Sequence, residues 1–96
     1  MKNLRLMVIL LIFDLQSQEQ NIFYKDADVK VFAEDIALLV DKTIILDPRV
    51  KGTISVYSED NLDTDSIWEV FISTMEVQGY SVLKDGNIFR VIPSQE

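Results

Sequence analysis

The stretch Lys42–Ser58, KTIILDPRVKGTISVYS, constrains the fold most because it holds two β-rich runs separated by a breaker. The first run, Thr43–Leu46, is apolar, which is typical of a strand covered on both faces. The second, Thr53–Ser58, alternates polar and apolar residues and predicts a strand with one face in water. Pro48 favours an extended conformation before it, so the first strand should end at Asp47. We predict a strand pair onto which the rest of the chain packs.

The composition restricts the function. Ninety-six residues with 48% hydrophobic content make one small domain. The net charge of −7 argues against nucleic acid or an anionic membrane surface as a partner. The chain has no cysteine and no histidine, which removes thiolate chemistry, the commonest metal ligand and the commonest general base. We therefore expect no enzyme, no cofactor and no metal.

The N-terminus has the layout of a signal peptide. A short basic start precedes an apolar run, Leu6–Phe13, as in the n- and h-regions of such peptides. The run is too short to span a bilayer, which needs about 20 apolar residues. We predict a signal peptide over residues 1–17, cleaved after Ser17, with a domain over 21–93 and a tail over 94–96. The alternative is a buried N-terminal strand or helix of the domain itself.

Two helices are predicted from apolar residues at helical spacing. After a short strand over Asn21–Tyr24, the first helix begins at an N-cap aspartate, Asp28. Its apolar stripe is Val29, Phe32, Ala33, Ile36, Ala37 and Val40. The second helix covers about Thr64–Gln78, with Asp63 as its N-cap and Gly79 able to end it in the left-handed conformation. Its stripe is Trp68, Phe71, Ile72 and Met75, with Ile67 at its shoulder.

A hairpin is predicted at the C-terminus. Asp85-Gly86 is a two-residue type I′ turn signal. That turn pairs Leu83 with Ile88 and Val82 with Phe89. It also places four apolar residues on one buried face: Tyr80, Val82, Phe89 and Val91. The element order is then β-α-β-β-α-β-β, an α+β domain in which two helices pack on small mixed or antiparallel sheets.

The carboxylates have structural explanations. Asp26 and Asp28 flank a helix start, where capping explains them better than acid–base catalysis. Asn61–Asp65 has the first three ligand spacings of an EF-hand loop. However, Ser66 stands where such a loop needs glycine, and Ile72 where it needs a bidentate glutamate. The sequence therefore predicts no calcium site.

An unpaired sheet edge remains as the candidate site. A five-strand domain of this size must expose at least one edge, and edges pair with other chains unless they are blocked. The candidate edges are Ile22–Tyr24 and Thr53–Ser58. We predict that a protein partner binds at Phe23, Tyr24, Ser55 and Tyr57. The alternative is that Phe23 and Tyr57 both lie in the core, or that the N-terminal segment covers the edge.

Several separated motifs resemble the N-terminal region of type II secretins, the general secretion pathway protein D family. These are FYKDADV at Phe23–Val29 and KTIILDPRVKG at Lys42–Gly52. Leu62-Asp63, Trp68-Glu69, Phe71, Val77–Tyr80 and Val91–Pro93 follow in the family's order. The resemblance covers about Phe23–Pro93. Asp41 departs from the glycine that the family often has after the first helix.

The resemblance implies the first periplasmic domain of an exported secretin. In that family this domain forms a ring facing the inner membrane and docks onto the periplasmic region of the inner-membrane coupling component. The family's membrane β-barrel lies outside the matched segment, so no pore is implied for this chain. The expected location is the periplasm, with outer-membrane association as part of a full-length secretin. The signalling domain of TonB-dependent receptors, which binds an inner-membrane regulator, shares the fold and is the alternative.

Overall fold

The computed structural model describes residues 20–95 and has the predicted order of elements. The elements are β1 (Phe23–Asp28), α1 (Val29–Val40), β2 (Thr43–Leu46), β3 (Thr53–Tyr57), α2 (Thr64–Val77), β4 (Tyr80–Asp85) and β5 (Ile88–Pro93). This confirms the α+β class and the order β-α-β-β-α-β-β. The predicted signal peptide over residues 1–17 lies outside the described residues.

The two central strands do not pair with each other, so the predicted β2–β3 pair is wrong. β1 and β3 form a two-stranded antiparallel sheet, while β2, β5 and β4 form a three-stranded sheet in which β2 and β5 are parallel. The connecting loop explains the separation. The Val50 N–H donates to the Asp47 carbonyl at 2.9 Å, and the Val50 side chain is fully buried. Anchoring the loop in the core directs β3 to the other sheet.

The strand β2 is covered on one face only, contrary to the prediction. Ile44 and Leu46 point towards the helices and pack against the core, whereas Ile45 is 46% exposed on the outer face. The reason is the layering, in which α1 contacts β1 of one sheet and β2 of the other. Among the elements of residues 20–95, neither helix covers the outer face on which Ile45 is exposed. By contrast, β3 alternates as predicted, with Ile54 and Val56 inward.

The helix ends follow the predicted capping residues. Asp28 Oδ1 accepts a hydrogen bond from the Lys30 N–H at 2.7 Å, and Asp63 Oδ1 accepts one from the Ser66 N–H at 2.8 Å. Each bond satisfies an N–H that the first helical turn leaves unpaired. In the absence of a glycine, Asp41 ends α1 by adopting the left-handed conformation, with a φ of 57°.

The core is formed mainly by the two helices. Phe32 of α1 and Phe71 of α2 are both fully buried, with ring centroids 5.8 Å apart. Ile67 is also buried and belongs to the stripe of α2 itself rather than to its shoulder. Trp68 stacks on Phe71 at 5.1 Å. The core side chains are Ile22, Val29, Phe32, Ala33, Ile36, Val50, Ile54, Ile67, Phe71, Met75 and Val91.

The C-terminal hairpin has a different register from the one predicted. Asp85 pairs with Ile88 and Val82 with Val91, so the turn is Gly86-Asn87 rather than Asp85-Gly86. A type I′ turn over Asp85 would need a positive φ at that aspartate, whereas Gly86 supplies a positive φ of 64° without a Cβ penalty. Each residue of β4 therefore pairs with a residue of β5 two positions further along than predicted. Since side chains alternate between the two faces with a period of two, the four apolar residues still share the inner face.

Candidate protein-interaction site

The two-stranded sheet carries the four residues that the sequence predicts to bind a partner. β1 continues through Asp28 instead of ending at Tyr24, and its register shifts between Tyr24 and Ala27 as a β-bulge. Asp26 lies in the bulge with a φ of 51°. Its N–H donates to Ser55 Oγ of β3 at 3.0 Å. The Ser55 hydroxyl thus ties the bulge to the neighbouring strand.

Phe23 and Tyr57 form an exposed aromatic pair on the outer face of this sheet. They are direct cross-strand neighbours, and their ring centroids lie 5.0 Å apart at a tilted angle. Phe23 is 73% exposed and Tyr57 is 58% exposed. Cross-strand aromatic pairs stabilise a sheet, but two large rings left mostly in water also provide apolar area that a partner can cover.

Tyr24 faces the opposite side and supports the sheet from below. Its ring packs edge-on against Phe32 at 5.0 Å, and its hydroxyl donates to Asp35 Oδ2 at 3.0 Å. Burial, followed by the hydrogen bond and the negative charge of Asp35, raises the pKa of Tyr24 from 10.0 to about 12. Of the four predicted site residues, Phe23, Ser55 and Tyr57 therefore lie together on the outer face, and Tyr24 does not.

Backbone groups at both edges of this sheet point away from the partner strand. Among residues 20–95 the sheet consists of β1 and β3, so within that range each has one edge without a neighbouring strand. The Ser58 N–H donates to the Ile22 carbonyl at 2.8 Å. Because hydrogen-bonded and non-hydrogen-bonded pairs alternate in an antiparallel ladder, the next pair, Phe23 with Tyr57, directs its N–H and C=O groups outward. Aromatic rings and unpaired backbone thus occur at the same place.

Two further acidic residues, Asp47 and Asp63, act in the fold. Asp47 accepts hydrogen bonds from the guanidinium of Arg49 and also from the Arg49 N–H, and these bonds lower the pKa of Asp47 from 3.8 to about 2. The hydrogen bond from the Ser66 N–H likewise lowers the pKa of Asp63. Among residues 20–95, no group of acidic side chains is arranged to hold a metal ion. Over the same residues, no helix is long and apolar enough to cross a membrane.

Sequence reasoning missed a groove beside β3. It lies between β3 and α2 and has a volume of about 490 Å³. Ser55 and Val56 line it from the strand, and Glu69 with several smaller side chains lines it from the helix. Just past the end of α2, Gln78 Nε2 donates to the Thr53 carbonyl at 3.3 Å. The signal available in the sequence was the second stripe of α2, in which Val70 and Val77 recur among serines and threonines.

The chain belongs to the family described as "GspD-like, N0 domain", whose model matches residues 22–91. It is therefore an N-terminal domain of the type II secretion secretins. This supports the first of the two alternatives left open by the sequence resemblance.

Individual relatives agree with this assignment. Over 81 residues the chain is 35% identical to the secretin XcpQ of Pseudomonas aeruginosa. The aligned region covers 84% of this chain but only 12% of XcpQ. The crystal structure of the N-terminal domain of the same secretin superposes with a TM-score of 0.77 and 34% identity, covering 80% of this chain and 37% of the other. A complex of GspC and GspD from enterotoxigenic Escherichia coli superposes with a TM-score of 0.72 and 28% identity, covering 79% and 57%.

Proposed function

We propose that this chain is a non-enzymatic docking module of a type II secretion secretin that acts in the periplasm. Its partner would be the periplasmic region of the inner-membrane coupling component. The observation that carries the proposal is the exposed Phe23–Tyr57 pair beside unpaired strand edges. The similarity to a chain in the crystal structure of a GspC–GspD complex supports the choice of partner.

The mechanism would combine a small apolar contact with backbone pairing. Covering two aromatic rings and adding a strand to one edge buries a small area, and interfaces below about 1,200 Å² are commonly weak and transient. Reversible docking suits a component that has to engage and release during export. As part of a full secretin, self-association into a ring would repeat the contact and raise the overall affinity without any new interaction.

The proposal is tested by titrating the isotope-labelled chain with the periplasmic region of the cognate inner-membrane component. Amide signals of Phe23, Ser55 and Tyr57 should shift on binding. The double variant Phe23→Ser/Tyr57→Ser should bind at least about tenfold more weakly, because aromatic anchors dominate small interfaces. Leu38→Ser is the matched control, since Leu38 is 80% exposed on α1 and lies beside β2 of the other sheet. Signal changes confined to α2, or equal affinity of the double variant, would contradict the proposal.

Export is tested separately. Cell fractionation of the full chain, followed by mass determination of the mature protein, should recover it in the periplasm without residues 1–17. Recovery of the uncleaved chain in the cytoplasm would contradict the predicted signal peptide. That result would leave the docking surface itself unaffected.

A further inference from the structure

The β1–β3 sheet has two edges without a neighbouring strand in the described part of the chain, and they are not equally suited to strand addition. The edge of β1 is interrupted by the bulge between Tyr24 and Ala27, and bulges protect edges by twisting them away from a pairing geometry. The Asp26 N–H within the bulge is already bonded to Ser55 Oγ. The edge of β1 therefore lacks the regular spacing of donors and acceptors that an incoming strand needs.

The edge of β3 keeps that spacing. Hydrogen-bonded pairs close the ladder at both of its ends, Ser58 with Ile22 and Gly52 with Val29. Hydrogen-bonded and non-hydrogen-bonded residues alternate along β3, so the backbone groups of every second residue between Gly52 and Ser58 face β1. The backbone groups of the residues between them face outward. The outward residues are Thr53, Ser55 and Tyr57.

One end of this edge is already capped. Gln78 Nε2 donates to the outward Thr53 carbonyl at 3.3 Å, where an added strand would otherwise donate. This contact also shows that the β3 edge faces the C-terminal end of α2. An incoming segment would consequently pair from Ser55 to Tyr57 and leave the groove at its opposite end.

The groove has room for an extended segment. Its α2 wall is formed at helical spacing by mostly small side chains, namely Ser66, Glu69, Val70, Ser73, Thr74 and Val77. Val77 is 85% exposed. Two strands lie about 4.8 Å apart, so a segment added to β3 would place alternate side chains against this wall. Only small or β-branched side chains would fit there.

Charge selects among such segments. Glu69 lies in the groove, and Glu59 and Asp60 follow the end of β3. The ion pairs that the structure gives for the described residues use other carboxylates, Asp47 and Asp85. An approaching anionic segment would be repelled, whereas a lysine or arginine on the partner would gain attraction and a faster encounter.

We infer that the docking partner adds an extended segment to the outer edge of β3, within the groove between β3 and α2. This inference rests on the proposed docking function. The segment pairs with the backbone of Ser55 and Tyr57, turns small or β-branched side chains towards α2, and carries a basic residue next to Glu69 and the end of β3. The edge of β1 stays unpaired.

The test compares two pairs of variants of the full chain, with the periplasmic region of the cognate inner-membrane component as the probe. Glu69→Lys should weaken binding by about tenfold, and Ser73→Phe should do so by filling the groove. Glu76→Lys and Glu76→Phe are the matched controls, because Glu76 is exposed on the same helix but does not line the groove. Both controls should bind within about twofold of the unmodified chain, since exposed positions outside an interface contribute little.

These measurements distinguish strand addition at the β3 edge from docking of the inner-membrane component in general. If Glu69→Lys binds as the unmodified chain does while Phe23→Ser/Tyr57→Ser fails to bind, docking occurs through the outer face and the inference is wrong. If the unmodified chain does not bind the probe, the docking function itself is wrong. Circular dichroism checks that each variant folds. Should Ser73→Phe unfold, the Glu69→Lys and Glu76→Lys pair decides alone.

Discussion

Replacing Tyr24 with phenylalanine should weaken the support under the two-stranded sheet while leaving its outer face intact. The change removes the hydroxyl that donates to Asp35 Oδ2 at 3.0 Å and keeps the ring packed on Phe32. The expected loss at pH 7 is that of one hydrogen bond to a carboxylate, because the desolvation that contributes most to the raised pKa acts only on the ionised hydroxyl. Because Tyr24 is only partly buried, solvent screening reduces the expected loss to about 1 kcal/mol.

The contribution of the Tyr24 hydroxyl to the free energy of unfolding should decrease at high pH. Between pH 10 and about 12 the unfolded chain releases the Tyr24 proton while the folded chain keeps it, so the contribution of the hydroxyl is complete below pH 10 and is lost as the pH rises. Urea unfolding of both proteins at pH 7 and pH 11 measures it, with the exposed Tyr57→Phe as the control. About 1 kcal/mol corresponds to a Tm shift of about 4–8 °C in a domain of this size. Equal stability of Tyr24→Phe and the unmodified chain at pH 7, or a difference that grows from pH 7 to pH 11, would refute the reasoning.

Three further changes test the fold. Phe71→Ala should cost about 3–5 kcal/mol in urea unfolding because Phe71 is fully buried, whereas Val77→Ala, at an 85% exposed position, should change little; similar losses would contradict the core assignment. Asp63→Ala should destabilise the chain at pH 7 but less at a pH below the lowered pKa of Asp63, because protonation weakens its bond to the Ser66 N–H. A loss independent of pH would refute this. Gly79→Ala should cost about 1 kcal/mol by thermal unfolding since its φ is +89°, although a Cβ there would meet no atom within 4 Å; no loss would remove the strain argument.

Much of the candidate site was predictable from the alternation of β3. Polar and apolar residues alternate there, so Ser55 and Tyr57 were expected on the wet face, and the structure places them there. The orientation of Tyr24 was not predictable. It depends on the register of β1 against β3 and on Asp35 of α1, which lies eleven residues away in the chain.

The β-bulge in β1 was also not predictable from the sequence, because it too depends on tertiary contacts. Lys25-Asp26-Ala27-Asp28 has the composition of a turn or a helix start, and only Asp28 acts as a cap. The chain continues as a strand because Ala27 finds a pairing partner in Ile54 and packs against the core. Tertiary contacts overrode a weak local preference at this point.

Local physical chemistry within the sequence determined the element types, their order and the caps of both helices. These depend on interactions between residues close in the chain, such as an aspartate oxygen with an N–H two or three positions later. Only the tertiary structure decided that β2 and β3 enter different sheets and that a groove separates β3 from α2. Strand pairing depends on which distant segments bury their apolar faces together. Here the burial of Val50 anchors the loop between β2 and β3 and directs β3 to the other sheet, which the local sequence pattern does not predict.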